Sequence, residues 1–189
     1  MARPRSEDKR QMILQAAIQL FADEGLNAPT ARIAKVARVA EGTVFTYFAT
    51  KDDLLNELYL ELKGQLRAAL VPPPASADLQ EQVWMAWQTY VSWGVSHPEE
   101  HQVLAKLGLS TRITEETRSE GNRTFCDVSG LLEQAMATGA LCEQSPDFVG
   151  ALMGAMGDVT MTFIRANPTS AEVTCRDGFV AFCNAVTSR

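Results

Sequence analysis

Two histidines stand at the spacing of a metal site. His97-Pro-Glu-Glu-His101 has the H-x-x-E-H order in which two imidazoles hold zinc and a glutamate, here Glu100, acts as the base. That chemistry needs both rings on one face of a continuous helix. Pro98 is better suited to a first helical position, which leaves His97 outside the helix as its cap. The chain has only 2 histidines, so a third ligand would have to be a carboxylate. Cys126, Cys142, Cys175 and Cys183 form no C-x-x-C pair. Cys175 and Cys183, eight apart, share a helix face, and buried reduced thiols are the expectation for these residues. No G-x-S-x-G, phosphate loop or G-x-G-x-x-G occurs. The expectation is a protein without catalytic residues, metal or cofactor, not an enzyme. Two alternatives stay open: a helical adaptor that binds protein, and a zinc hydrolase using His97, Glu100 and His101.

A second constellation suits nucleic acid. In Thr30-Ala-Arg-Ile-Ala-Lys-Val-Ala-Arg-Val-Ala-Glu-Gly-Thr-Val-Phe-Thr-Tyr-Phe48, two short helical patterns flank a tight turn, the shape of a helix-turn-helix. Ile33, Ala34, Ala37, Val39, Val44 and Phe48 supply the apolar contacts that set the angle between the helices. Thr43, Phe45, Thr46 and Tyr47 are left near the outer side of the second helix. Threonine hydroxyls bond base edges or phosphates, threonine methyls and Phe touch a thymine methyl, and Tyr47 bonds a phosphate. Lys51 stands at a helix start, where its charge and the free backbone N–H groups both favour phosphate.

Charge is divided in the same sense. Residues 1–51 carry eight Lys/Arg against five Asp/Glu, whereas 52–189 carry nine against eighteen. A basic head on an acidic body predicts two surfaces with two kinds of partner. The net charge of −6 excludes a wholly nucleic-acid-coating protein, and 46% apolar residues in 189 exclude a disordered chain. The longest apolar run, 148–157, is half the ~20 residues of a membrane span. The opening ten residues lack the apolar stretch of a signal peptide. A cytoplasmic protein that does not meet the membrane is expected.

Helical spacing dominates from end to end. Ser6 with Glu7 and Asp8 predicts a first helix, carried by Met12, Ile13, Ala16, Ala17, Leu20 and Phe21 and stopped by Gly25. Thr30 is expected to cap the second helix, and the third spans Thr43 to Phe48. Thr50-Lys-Asp-Asp53 opens a helix of about five turns over Leu54, Leu55, Leu58, Leu62 and Leu66, ended by Val71-Pro-Pro-Pro74. Further helices are predicted from Asp78 to Ser96, Pro98 to Leu107, Glu115 to Ala137 before Gly139, Ser145 to Arg165, and Thr169, as a cap, to Val186. No run of alternating β-branched residues appears. The fold class is all-α, with about nine helices.

Gly42-Thr-Val-Phe-Thr-Tyr-Phe-Ala-Thr-Lys-Asp-Asp-Leu-Leu55 resembles the end of the DNA-binding domain of the TetR family of repressors, most specifically across residues 10–60. The resemblance implies a three-helix DNA-binding domain over 1–51 and a helical ligand-binding and dimerisation domain over 52–189. It implies a homodimer on double-stranded DNA, with a small-molecule effector. By position, Thr30, Tyr47 and Lys51 match phosphate contacts, Thr43, Phe45 and Thr46 match base-facing residues, and Gly42 lets the backbone approach DNA. Arg38 departs from the glycine usual in the turn. The reading helix also lacks Arg, Asn and Gln, the residues that discriminate best between bases. That shortfall makes Arg3 and Arg5 candidates to reach an adjacent minor groove from a mobile arm.

The opening Met1-Ala-Arg-Pro-Arg-Ser-Glu-Asp-Lys9 and Tyr90-Val-Ser-Trp-Gly-Val-Ser-His-Pro98 are similar to a multidrug-responsive branch of the family. Pocket positions of that branch match Tyr59, Lys63, Trp87, Met153, Gly154 and Asp158. Met153 stands where an aromatic stacker is usual, and Gly150 replaces an acid. Independently, Tyr59 and Lys63 at i,i+4 share a helix face. Trp84, Trp87, Tyr90 and Trp93 recur every three residues, each ring rotated about 60° from the last, so they cannot share one face. The strip Gly150-x-x-x-Gly154 with Gly157 permits close helix approach, or leaves room for a ligand.

Overall fold

The structure, a computed structural model, describes residues 3–70, 74, 77–123, 130 and 145–186. Its elements are α1 (Arg3–Glu24), α2 (Thr30–Val36), α3 (Glu41–Tyr47), α4 (Lys51–Ala69), α5 (Leu79–Ser96), α6 (Pro98–Gly108), α7 (Glu115–Arg123), α8 (Pro146–Ala166) and α9 (Ala171–Val186), with a 3-10 turn at Pro168–Ser170. The protein is all-α, with a helix-turn-helix at its N-terminus and no strand among the described residues. The rest of the helix expected over 115–137, its stop at Gly139, and Cys126 and Cys142 lie outside the described residues, as does most of the proline break at 71–74.

Local chemistry accounts for most helix ends. Gly25 takes φ +82 and donates its N–H to the Phe21 carbonyl at 3.1 Å, the left-handed stop that glycine permits. Thr50 and Asp53 bond reciprocally, backbone N–H to side-chain oxygen in each direction, at 2.9 and 3.1 Å. Asp78 and Glu81 do the same at 3.2 and 2.9 Å. Ser145 accepts from the Phe148 N–H at 3.3 Å, with Pro146 in the first turn.

Four ends differ from expectation. Helix α1 starts at Arg3 rather than Ser6, so Arg3 and Arg5 belong to its first turns and not to an arm. Thr30 is the first helical residue of α2, and Pro29 is the uncapped residue before it. Helix α3 starts at Glu41, two residues early, after Ala40 in extended conformation. Thr169 falls inside the 3-10 turn, its hydroxyl on the Asn167 side chain at 2.7 Å, so α9 begins at Ala171. In the first case the backbone simply extends a pattern that needs no cap. In the others a neighbouring extended residue or a tight turn supplies the geometry.

Two compact units form, Met1–Gln65 with His97–Gly121, and Leu66–Ser96 with Asn122–Arg189. The first draws most of α4, and α6 and α7, in with the basic head. One apolar cluster explains it: Ile13, Leu14, Ala17, Phe21, Ile33, Val44 and Phe48 share it with Leu54, Leu55, Leu58 and Leu62 of α4, and Val103, Leu107 and Ile113. Each fully buried leucine contributes about 1.5–3 kcal/mol. Polar bonds hold the same elements. Lys106 of α6 donates to the Phe21 and Ala22 carbonyls at the end of α1, at 2.9 and 2.8 Å. Asn56 of α4 accepts from the Thr114 N–H at 2.9 Å and donates to the Arg112 carbonyl at 3.0 Å. Arg10 reaches Glu57 at 2.6 Å.

The second unit packs α5, α8 and α9 around Trp87, Val91, Val149, Met153, Met161, Ile164, Phe179, Phe182 and Val186. A Cβ at Gly178 would collide with the Thr160 hydroxyl oxygen and lie 3.0 Å from the Trp87 ring, so the approach of α9 to α8 and α5 there requires glycine.

Candidate nucleic-acid interface

Helices α2 and α3 are held by buried Ile33, Ala34, Ala37, Val44 and Phe48. With Val44 and Phe48 turned inward, the neighbouring residues of α3 are left outward by helical spacing. Phe45 is 44% exposed, a large value for an aromatic ring, and Thr46 is exposed beside it. The Thr46 hydroxyl donates to the Gly42 carbonyl at 3.0 Å, so outwardly it offers lone pairs and a methyl group rather than a proton. Thr43 is half-buried and Tyr47 packs partly on the core. A Cβ at Gly42 would meet nothing within 4 Å among the described residues, so any requirement for glycine there comes from outside the chain. Thr30, half-buried at the start of α2, caps no helix.

Lys51 is placed differently from a free phosphate ligand. Its ammonium donates to the Ala28 carbonyl at 2.7 Å and lies 5.9 Å from the centre of the Phe21 ring. Partial burial lowers its pKa, the nearby Arg112 charge lowers it further, and Asp52 acts in the opposite sense. One of its three N–H bonds therefore ties the start of α4 to the α1–α2 corner, and two remain. Arg38 takes φ +55, the one non-glycine residue with positive φ among those described. The turn is left-handed at a residue that carries a Cβ, a conformation that strains the backbone there.

The effector-facing candidates divide between the units. In the first, Tyr59 is buried and the Lys63 ammonium sits 5.6 Å from its ring centre. A Cβ at Gly121 of α7 would come 2.7 Å from that ring, so α7 presses directly on it. Burial raises the Tyr59 pKa, opposed by Arg118, and burial lowers that of Lys63. In the second, Trp87 is wholly buried, donates to the Cys175 carbonyl at 3.0 Å and stacks on Phe182 with centroids 5.9 Å apart. Met153 is buried in the same cluster, while Gly154 and Asp158 are half-buried. Sequence reasoning missed the partner of Asp158: the Tyr90 hydroxyl donates to its carboxylate at 3.1 Å. The one available signal was the glycine before Asp158, since only Gly157 of the small-residue strip meets a close neighbour, the Tyr90 ring.

The metal alternative finds no support in geometry. His97 is the residue before α6, with Pro98 in the first turn, while His101 is buried within the helix. No group of three His, Cys, Asp or Glu able to hold a metal occurs among the described residues. Cys175 is buried and Cys183 half-buried, both as free thiols.

Comparison with known proteins identifies the head. Residues 13–58 match the family described as bacterial regulatory proteins, tetR family. The uncharacterized HTH-type transcriptional regulator YhgD of Bacillus subtilis (strain 168) is 24% identical over 155 residues, 78% of this chain and 80% of that one. The fatty acid metabolism regulator protein of the same organism is 40% identical over 58 residues, 30% of each chain. A tetR family transcription regulator from Shewanella sp. PV-4 superposes with a TM-score of 0.86 at 25% identity, covering 96% of this chain and 99% of the other. Another from Marinobacter aquaeolei VT8 gives 0.85 at 20% identity, covering 99% and 100%. The helix-turn-helix with its exposed outer face, the matching family domain and the shared fold lead to one conclusion: residues 13–58 form a helix-turn-helix head of the tetR family, in a chain with the fold of the solved regulators of that family.

Proposed function

We propose that the chain is a repressor that binds a pseudo-palindromic operator as a homodimer and is released by a bulky lipophilic or aromatic small molecule, in the manner of the RamR-like branch. Residues 1–51 act on DNA and 52–189 carry effector binding and dimerisation, in the cytoplasm where the operator lies. The observation that carries the DNA reading is the outward face of α3, where Phe45 and Thr46 stand exposed on a helix anchored by buried Val44 and Phe48. Thr30, Tyr47 and Lys51 serve the phosphates, Gly42 and Thr43 complete the approach, and Arg3 and Arg5 extend the basic end of α1.

Dimerisation is favoured by apolar side chains that the second unit leaves in water. Phe148, Val159, Phe163, Val173 and Val180 are all more than half exposed, on α8 and α9. Large apolar side chains left exposed on neighbouring helices favour an interaction face. A palindrome requires two reading helices about one DNA turn apart, ~34 Å, and hence two copies of the chain.

The candidates for effector binding are Tyr59 and Lys63 in the first unit and, in the second, Trp87, Met153, Gly154 and Asp158, whose aromatic, thioether and carboxylate groups suit a lipophilic cation. Release follows if the ligand prefers the DNA-incompetent arrangement and shifts α4, with a coupling of about 1–3 kcal/mol. The test is a footprint on the DNA upstream of the chain's own gene, repeated with lipophilic cations, planar dyes and steroid acids. Protection of an inverted repeat, lost with one ligand class, is the expected result. Protection indifferent to every class would remove the effector reading and leave the DNA reading standing.

A further inference from the structure

The turn between α2 and α3 holds a cation under strain. Val39 donates its N–H to the Ala34 carbonyl at 3.0 Å and Arg38 to the Lys35 carbonyl at 3.2 Å, the paired bonds of a Schellman helix end. Such an end requires a left-handed residue, and α1 meets the same need with Gly25 at φ +82. Arginine at φ +55 costs about 1–2 kcal/mol that glycine does not.

Among the described residues no side-chain contact of Arg38 offsets that cost. Arg10 is held by Glu57, Arg32 by Glu24, Arg112 by Asp52, and Arg118 by the Gly108 and Ser110 carbonyls. Arg38 is exposed and makes no ion pair or hydrogen bond through its side chain among the described residues. It lines an open groove with Asp8 and Glu99 and is paired with neither. Lys35, one turn earlier, is exposed and likewise without a side-chain partner there.

The neighbouring reading helix lacks positive charge. Helix α3 has no basic residue and carries Glu41 in its first turn, and the Lys51 ammonium beyond its end gives one of its three N–H donors to the Ala28 carbonyl. A helix entering a DNA groove between two phosphate chains needs cations close by, and Arg38 stands two residues before Ala40, the residue preceding α3. Its planar fork of donors suits phosphate oxygens, and strain retained without an internal partner points to an external one.

We propose that Arg38 is a phosphate clamp for double-stranded DNA, built into the turn of the helix-turn-helix with Lys35 beside it. This rests on the DNA-binding reading above. Fluorescence anisotropy of a labelled mixed-sequence duplex, titrated between about 50 and 200 mM NaCl, reads both affinity and phosphate count. Arg38→Gly relaxes the backbone and keeps the fold, so any loss is a loss of the guanidinium. It is expected to bind about three- to tenfold more weakly and to flatten the log K against log salt slope by about one per head, while Arg38→Lys retains the slope. An unchanged slope and affinity for Arg38→Gly would overturn the clamp. So would equal weakening of the Gly and Lys variants with both slopes intact. A wild-type chain that fails to bind the duplex at low salt would overturn the DNA reading itself, and the clamp with it.

Discussion

The Tyr90 hydroxyl donates to the Asp158 carboxylate at 3.1 Å, and the residue just before Asp158 lets the ring reach it. A Cβ at Gly157 would lie 2.5 and 2.9 Å from two carbons of that ring. Gly157→Ala is therefore expected to destabilise the protein by about 1–3 kcal/mol through overpacking. Gly64→Ala, at an exposed site of α4 with open space around it, is expected to stabilise by roughly 0.5–1 kcal/mol. Thermal melts of the two variants check the contrast, and equal shifts would refute the close approach.

The same pair has a pH signature. Burial raises the Tyr90 pKa far above the usual phenol range, and the Asp158 charge and hydrogen bond add to it; burial also raises Tyr59. Both folded pKa values lie above the unfolded value of about 10, so the folded chain holds protons that the unfolded chain releases. Their stabilising contribution is complete below pH ~10 and is lost as pH rises beyond it. An ultraviolet phenolate titration should find the Tyr90 phenol silent until the protein unfolds.

Arg38→Gly should raise the melting temperature. Relief of the left-handed penalty, about 1–2 kcal/mol, exceeds the roughly 0.5–1 kcal/mol of extra chain entropy that glycine brings to the unfolded state. Gly25→Ala has the opposite sign, at about 1 kcal/mol, since φ +82 is strained for alanine despite the open space. Denaturant midpoints that move the same way for both would refute this account of the turn.

Lys106 donates to two carbonyls at the end of α1, where the helix dipole is negative. Lys106→Met keeps the aliphatic stem and removes both bonds. A loss of about 1–2 kcal/mol is expected, measured by urea unfolding. Lys106→Arg should recover part of it.

Phe163 is 65% exposed on α8. If α8 and α9 face a second copy, Phe163→Glu buries a charge at that contact and the variant should sediment as a monomer at micromolar concentration, with wild-type helicity. A variant that remains dimeric places the interface elsewhere.

Much of this architecture could be read from spacing and end chemistry. Leu54, Leu55, Leu58 and Leu62 form a buried stripe because residues three and four apart face the same way. Thr50 with Asp53, Asp78 with Glu81, and Gly25 act over a few bonds of chain, so their residue types suffice. Thr30 and Thr169 carried the same cap signal and are not caps, because Pro29 and the 3-10 turn already set the backbone. The outward face of α3 was legible for the same reason as the stripe: with Val44 and Phe48 inside, Phe45 and Thr46 have to be outside.

Sequence alone determined the helices, the TetR-type head, and where its basic charge lies, since periodicity, caps and charge are properties of neighbouring residues. Only the tertiary structure decided which groups those residues meet. Trp87 went into the core on Phe182, Lys51 turned to the Ala28 carbonyl, Tyr90 found Asp158 68 residues away, and Arg38 was left strained and facing water. Contacts between distant segments depend on how helices cross and which glycine lets them close, and neither is encoded in any short stretch of chain.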